Sequence, residues 1–139
     1  MSGFLLDTNV LSEVAKDAPD LRVVAFLTEQ EDLWLSSILI HEVEFGLRLL
    51  PHTPRRSRLS EMLSAIFEAY GDRILPLDRA GAEWSAEFRA QARLAGRPID
   101  LGDALVAGVA KANGLTLATR NTADFAHLDL ETLNPWRAS

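Results

Sequence analysis

The chain has 139 residues, with 20 acidic and 14 basic side chains, a net charge of −6 and no cysteine. That length suits one domain with one real core, expected over residues 1–139, and 47% apolar content excludes a disordered or low-complexity chain. The lack of cysteine excludes disulfides, zinc–thiolate centres and thiol nucleophiles, and it agrees with a cytoplasmic location. No apolar run approaches the roughly 18 residues of a membrane span, and Met1–Leu6 meets Asp7 without a basic start, which predicts no secretory leader.

In chain order, Phe4–Leu6 reads as a short buried strand, and Asp7-Thr8-Asn9 as cap residues leading into a helix. Leu21–Glu29 has apolar residues at helical spacing. Leu33–Leu35 reads as a strand. Ser37 then caps a predicted helix from Ile38 to Leu50, which Pro51 ends. Leu59, Met62, Leu63, Ile66, Phe67 and Tyr70 form a further helical stripe. Ile74–Leu77 reads as a strand, Ala80–Ala95 as a helix closed by Gly96, and Asp100–Asn113 as a helix closed by Gly114. Leu115–Ala118 and Leu128–Leu133 complete the pattern as strands. Strands alternating with helices predict an α/β three-layer sandwich with a mostly parallel central sheet. Ligands of such sheets sit beyond the carboxyl ends of the strands.

Most acids have plain explanations. Glu44 and Arg48 are an i,i+4 helix pair, and Glu83 and Glu87 share a charged helix face with Arg89 and Arg93. Others are less easily placed. Glu42 has Ile38, Phe45, Gly46 and Leu49 as its helical neighbours, and a carboxylate in an apolar stripe is costly unless paired or coordinated. Asp103 lies on a helix that is apolar nearly all round, as a central buried helix is. Asp100 and Asp103 also read as an imperfect capping box, Asp7 as an ordinary N-cap, and Asn121 with Asp124 as an ordinary turn before Phe125.

Taken together, Asp7, Glu42, Asp103 and Asn121 or Asp124 are expected at one edge of the sheet. Two carboxylates ~5 Å apart repel by roughly 3 kcal/mol at an effective dielectric of ~20, and a divalent cation reverses that sign. All-oxygen ligands without cysteine point to Mg²⁺ or Mn²⁺ and away from zinc.

The segments L-L-D-T-N from Leu5, L-S from Leu35 running to Glu42 with Gly46, D-A-L-V-A from Asp103, and L-A-T-R-N-T-A-D-F from Leu117 to Phe125 resemble the PIN-domain family. They are most similar to VapC-like toxin ribonucleases of toxin–antitoxin pairs. The Asn134-Pro135-Trp136 ending resembles the FitB-like branch. The resemblance implies a PIN-like fold and Mg²⁺-dependent cleavage of RNA phosphodiesters. Asp7, Glu42 and Asp103 would be the acidic core, and Asp124 would fill the fourth acidic role because Asn121 stands where some relatives carry an acid. Thr8, Asn9, Asp100, Thr119 and Asn121 would then be polar neighbours of the metal shell. The resemblance also implies a homodimer and a VapB- or FitA-type antitoxin that brings a basic residue to the acidic pocket.

Arg55, Arg56 and Arg58 form the basic cluster, read either as a solvated helix start or, with Arg120, as contacts to the RNA backbone. Trp34, Trp84 and Trp136 read as core or interface anchors. A phosphatase of the haloacid-dehalogenase type needs a second Asp where Asn9 stands. A receiver domain needs an acceptor Asp at a mid-chain strand end. The remaining alternative is a non-catalytic PIN-like module within a DNA-bound regulatory complex.

Overall fold

The computed structural model describes residues 3–137. Its sheet is built from β1 (Phe4–Leu6), β2 (Leu33–Ser36), β3 (Ile74–Leu75), β4 (Thr116–Ala118) and β5 (Thr132–Leu133). All pairings are parallel, in the order β3-β2-β1-β4-β5. Six α-helices flank it: α1 (Thr8–Val14), α2 (Leu21–Glu29), α3 (Ser37–Leu49), α4 (Pro54–Tyr70), α5 (Arg79–Leu94) and α6 (Leu101–Ala112).

Strand alternation divides the core in two. Leu6, Leu33, Leu35 and Ala118 point to one face, where Val10, Val23, Phe26, Leu39, Val43 and Leu63 of α1–α4 cover them. Leu5 and Leu117 point to the other, where Phe88 of α5 and Val106, Ala107, Val109 and Ala110 of α6 pack. The result is the expected three-layer α/β sandwich. The helix over Asp100–Asn113 is indeed the buried one. α5 and α6 approach so closely that a Cβ on Gly108 would lie 2.3 Å from the Gly81 carbonyl oxygen.

The elements depart from expectation where short-range chemistry intervenes. Ser36, not Ser37, caps α3: its Oγ accepts from the Leu39 N–H at 3.2 Å. The third strand stops at Leu75 and not Leu77, because Pro76 has no N–H for a ladder. The last strand shrinks to Thr132–Leu133, while Leu128 and Leu130 reach the core from a turn. α4 begins at Pro54, well before the apolar stripe, with Thr53 as cap and proline at its first turn. Among the described residues no helix is long and apolar enough to cross a membrane.

β1 is central, and its register (Phe4 opposite both Leu33 and Thr116, Leu6 opposite Ala118) sets what lies beyond the strand ends. The chain steps outward from β1 to β2 and β3, then returns to the other side for β4 and β5. This is the reversal of strand order at which open parallel sheets form a crevice. Asp7 leaves β1 and Thr119 leaves β4 on its two sides.

Candidate active site

A cleft of 420 Å³ opens at this point, lined by Asp7, Thr8, Asn9, Glu42, Asp103 and Asn121, with Ser12, Glu13, Lys16, Arg120 and Trp136 around them. Asp7 is its buried floor at 7% exposure. One carboxylate oxygen, Oδ1, accepts from the Thr8 N–H at 2.8 Å. The other, Oδ2, accepts from Thr119 Oγ1 at 2.8 Å and Asn9 Nδ2 at 3.4 Å. Asp7 therefore caps α1 and faces the cleft as well. Burial pushes its pKa up, and the bonds from Thr119 and Thr8 pull part of the way back.

Glu42 does not sit in a buried apolar stripe. The buried side chains of α3 are Ile38, Leu39, Val43 and Leu47, whereas Phe45 and Leu49 are 60% and 70% exposed. The predicted stripe was one position out of phase with the true one, and Glu42 lies on the exposed side. Its carboxylate still turns towards α6: a Cβ on Gly102 would lie 3.6 Å from Glu42 Oε1. Desolvation, then the charge of Asp7, raises its pKa. Thr8 Oγ1 is buried without a hydrogen-bond partner. It is near enough to Glu42 to favour the ionised carboxylate, though not in bonding geometry.

Asp103 occupies the first turn of α6. Its pKa is raised to about 6, first by desolvation, then by the charges of Asp7, Asp100, Asp124 and Glu42. A single group thus feels the other four carboxylates. The capping-box reading fails, since Asp100 stands at the N-cap position without a side-chain cap bond. Asp124 is exposed, outside the cleft lining, in the 3-10 turn Thr122–Phe125, where its N–H donates to the Asn121 carbonyl. Asn121 itself lines the cleft, and its N–H donates to Thr119 Oγ1 at 3.2 Å. Among the described residues, none of Asp7, Glu42, Asp100, Asp103 and Asp124 forms an ion pair. Nor do any three His, Asp or Glu side chains close into a ready cation cage.

The arginine cluster falls elsewhere. Arg55, Arg56 and Arg58 lie in the first turns of α4, and Arg56 is tied to the Leu50 carbonyl at 2.9 Å. Only Arg55 approaches, lining a neighbouring apolar groove that also reaches Thr8 and Glu42. The cations at the acidic cleft are Lys16 and Arg120. Lys16 and its partner Glu13 were not singled out from the sequence, although Glu13 follows Asn9 by four residues and so shares its helix face. Trp136 is buried in the core as expected, and its ring also carries the Arg120 guanidinium.

The profile of the PIN domain family matches residues 4–130, and the chain belongs to that family. Among its relatives is Toxin FitB of Neisseria gonorrhoeae, 39% identical over 135 residues, which are 95% of this chain and 97% of that protein. Another is VapC ribonuclease Y4jK of Sinorhizobium fredii, 38% identical over 95% of this chain and 96% of that protein. The solved structure of FitAB bound to the IR36 DNA fragment superposes with a TM-score of 0.91 at 37% identity, over 98% of this chain and 97% of the compared chain.

Proposed function

We propose that this chain is a metal-dependent endoribonuclease and the toxin of a VapBC-type toxin–antitoxin pair. The observation that carries this reading is the cleft in which Asp7, Glu42 and Asp103 converge, none of them in an ion pair among the described residues, so that burial and mutual repulsion raise the pKa of Asp103 to about 6. Folding tolerates unpaired carboxylates at such a place when a cation is their partner. Mg²⁺ or Mn²⁺ suits an all-oxygen donor set. Mg²⁺ in particular retains several waters and takes only one or two carboxylates, so an open cleft serves it better than a closed cage.

Asp7 and Asp103 would hold the ion, with Glu42 and, from the rim, Asp124 completing the acidic set. Bound there, the ion would supply acidified water and neutralise charge on the scissile phosphodiester. The chain supplies orientation. Thr119 and Asn9 fix Asp7 Oδ2, Thr8 N–H fixes Oδ1, and Asn121 anchors Thr119. Thr8 Oγ1 is a spare buried donor near Glu42, and Asp100 adds negative charge near Asp103. RNA cleavage in Mg²⁺, abolished by EDTA and by Asp7→Asn, is the expected result. Cleavage that survives Asp7→Asn overturns the assignment.

The partners in this reading are RNA, a second copy of the chain and an antitoxin, in the cytoplasm. The apolar groove of Val43, Gly46, Leu47, Leu50, Leu59 and Leu63, with Arg55 at its side, adjoins the acidic cleft at Glu42 and suits an amphipathic antitoxin segment. Phe45 and Leu49 add exposed apolar surface for association. The second reading, a non-catalytic module in a DNA-bound regulatory complex, draws support from the FitAB–DNA structure and from the open arrangement of the acids. A chain that binds its antitoxin on operator DNA yet shows neither Mg²⁺ binding nor RNA cleavage would establish it.

A further inference from the structure

The acidic cleft has one built cationic wall. Arg120 is exposed, and its guanidinium carbon lies 5.0 Å from the centroid of the Trp136 ring. Among the described residues the guanidinium makes no hydrogen bond and no ion pair, so its donors are unspent, in contrast to the tied Arg22, Arg56 and Arg73. Its backbone is held on both sides: the N–H donates to Asn9 Oδ1 at 3.4 Å, and the carbonyl accepts from Asn134 Nδ2 at 3.3 Å. Asn134 Oδ1 in turn accepts from the Trp136 backbone N–H at 2.9 Å, and the ring itself is held by burial in the core. Asn9 also donates to Asp7 Oδ2, so one side chain spaces Arg120 from the floor of the cleft. Lys16, the other cation of the lining, is already paired with Glu13 at 2.8 Å.

A planar cation with free donors, stacked on a fixed ring beside several carboxylates, is arranged to receive a phosphate. The acids repel RNA, and this wall offsets that repulsion on one side. We propose that Arg120, shelved on Trp136, binds a backbone phosphate of the RNA strand next to the cleaved bond and sets the register of the strand over the acids. The inference rests on the ribonuclease reading. Arg120 is here a substrate-contacting residue, and Trp136, Asn134 and Asn9 are positioning residues.

The test is binding of a fluorescein-labelled, mixed-sequence single-stranded RNA, followed by anisotropy in EDTA across a salt series, with RNA cleavage in Mg²⁺ measured in parallel. Arg120→Gln is expected to weaken binding ~5–10-fold and to reduce the salt slope by ~0.7, the value of one single-strand phosphate contact. In cleavage it should raise KM more than it lowers kcat. Trp136→Leu keeps the charge but removes the shelf, so the slope should persist while affinity falls, and Trp136→Phe should restore affinity. Asp7→Asn, expected to stop cleavage, should keep the dependence on Arg120. An Arg120→Gln chain that melts like the parent, binds as tightly and keeps the slope overturns the inference and leaves the ribonuclease reading intact. A parent chain that neither binds nor cleaves RNA overturns both.

Discussion

Thr119 Oγ1 donates to Asp7 Oδ2 at 2.8 Å across 112 residues of sequence. The bond joins the carboxyl ends of the two neighbouring strands β1 and β4, and both groups are buried. It therefore bears on stability and on the cleft together.

Thr119→Val keeps the shape and removes the donor to Asp7, together with the acceptor of the Asn121 N–H. The Asp7 carboxylate then keeps only the Thr8 N–H and the long Asn9 contact. A loss of about 1.5–3 kcal/mol is expected, the range for a hydrogen bond to a charged group, read by urea unfolding at neutral pH. An unchanged midpoint would show that the bond contributes nothing.

Asp7→Asn should act in the opposite direction on stability. Burial raises the Asp7 pKa, so its charge opposes folding at neutral pH. Asn can accept from Thr8 N–H through its carbonyl and donate to Thr119 Oγ1 through its amide, in place of the long 3.4 Å contacts of Asn9 Nδ2. The metal-free variant should melt higher than the parent while losing RNA cleavage. Melting below the parent would show the carboxylate to be a net stabiliser.

The metal-free protein should grow more stable as pH falls from 7 towards 4. The folded pKa of Asp103 is about 6 against an ordinary value of 3.8, so the folded state binds more protons than the unfolded state through that window. By linkage, stability then falls as pH rises through it. The contribution is about 1–2 kcal/mol once solvent screening is allowed for. Mg²⁺ should flatten the profile and raise melting at pH 7, by ~2.7 kcal/mol at 100 times its dissociation constant. A Tm that rises with pH without metal, or that ignores Mg²⁺, contradicts this.

Gly108→Ala tests the second layer. The added methyl would meet the Gly81 carbonyl oxygen at 2.3 Å and the Ser85 backbone nitrogen at 2.8 Å, neither of which can swing aside. A loss of about 3 kcal/mol, the upper part of the overpacking range, is expected in denaturant melts. A neutral outcome would mean that α5 and α6 slide apart freely.

The architecture was legible because local signals agreed with the tertiary ones. Phe4–Leu6 ends at Asp7, and Leu101–Ala112 is apolar over most of its surface because Ala104 and the run Val106–Ala110 are buried. Glu42 misled because α3 is apolar over more than one face: Phe45 and Leu49 imitate a core stripe but face outward. Arg55, Arg56 and Arg58 drew attention by adjacency in sequence, yet the fold sends two of the three away from both the cleft and its neighbouring groove. Arg120 and Trp136 were each marked in the sequence, but their pairing was not, because the two come from separate segments.

The placement of β4 beside β1 has a temporal side. A ribosome that has released the first hundred residues has delivered Asp7 and Glu42, but neither Asp103, nor the strand that closes the crevice, nor the ring beneath Arg120. During vectorial synthesis the last third of the polypeptide decides when the molecule becomes competent. A nascent chain cut short before Trp136 would be left with an unfinished cleft.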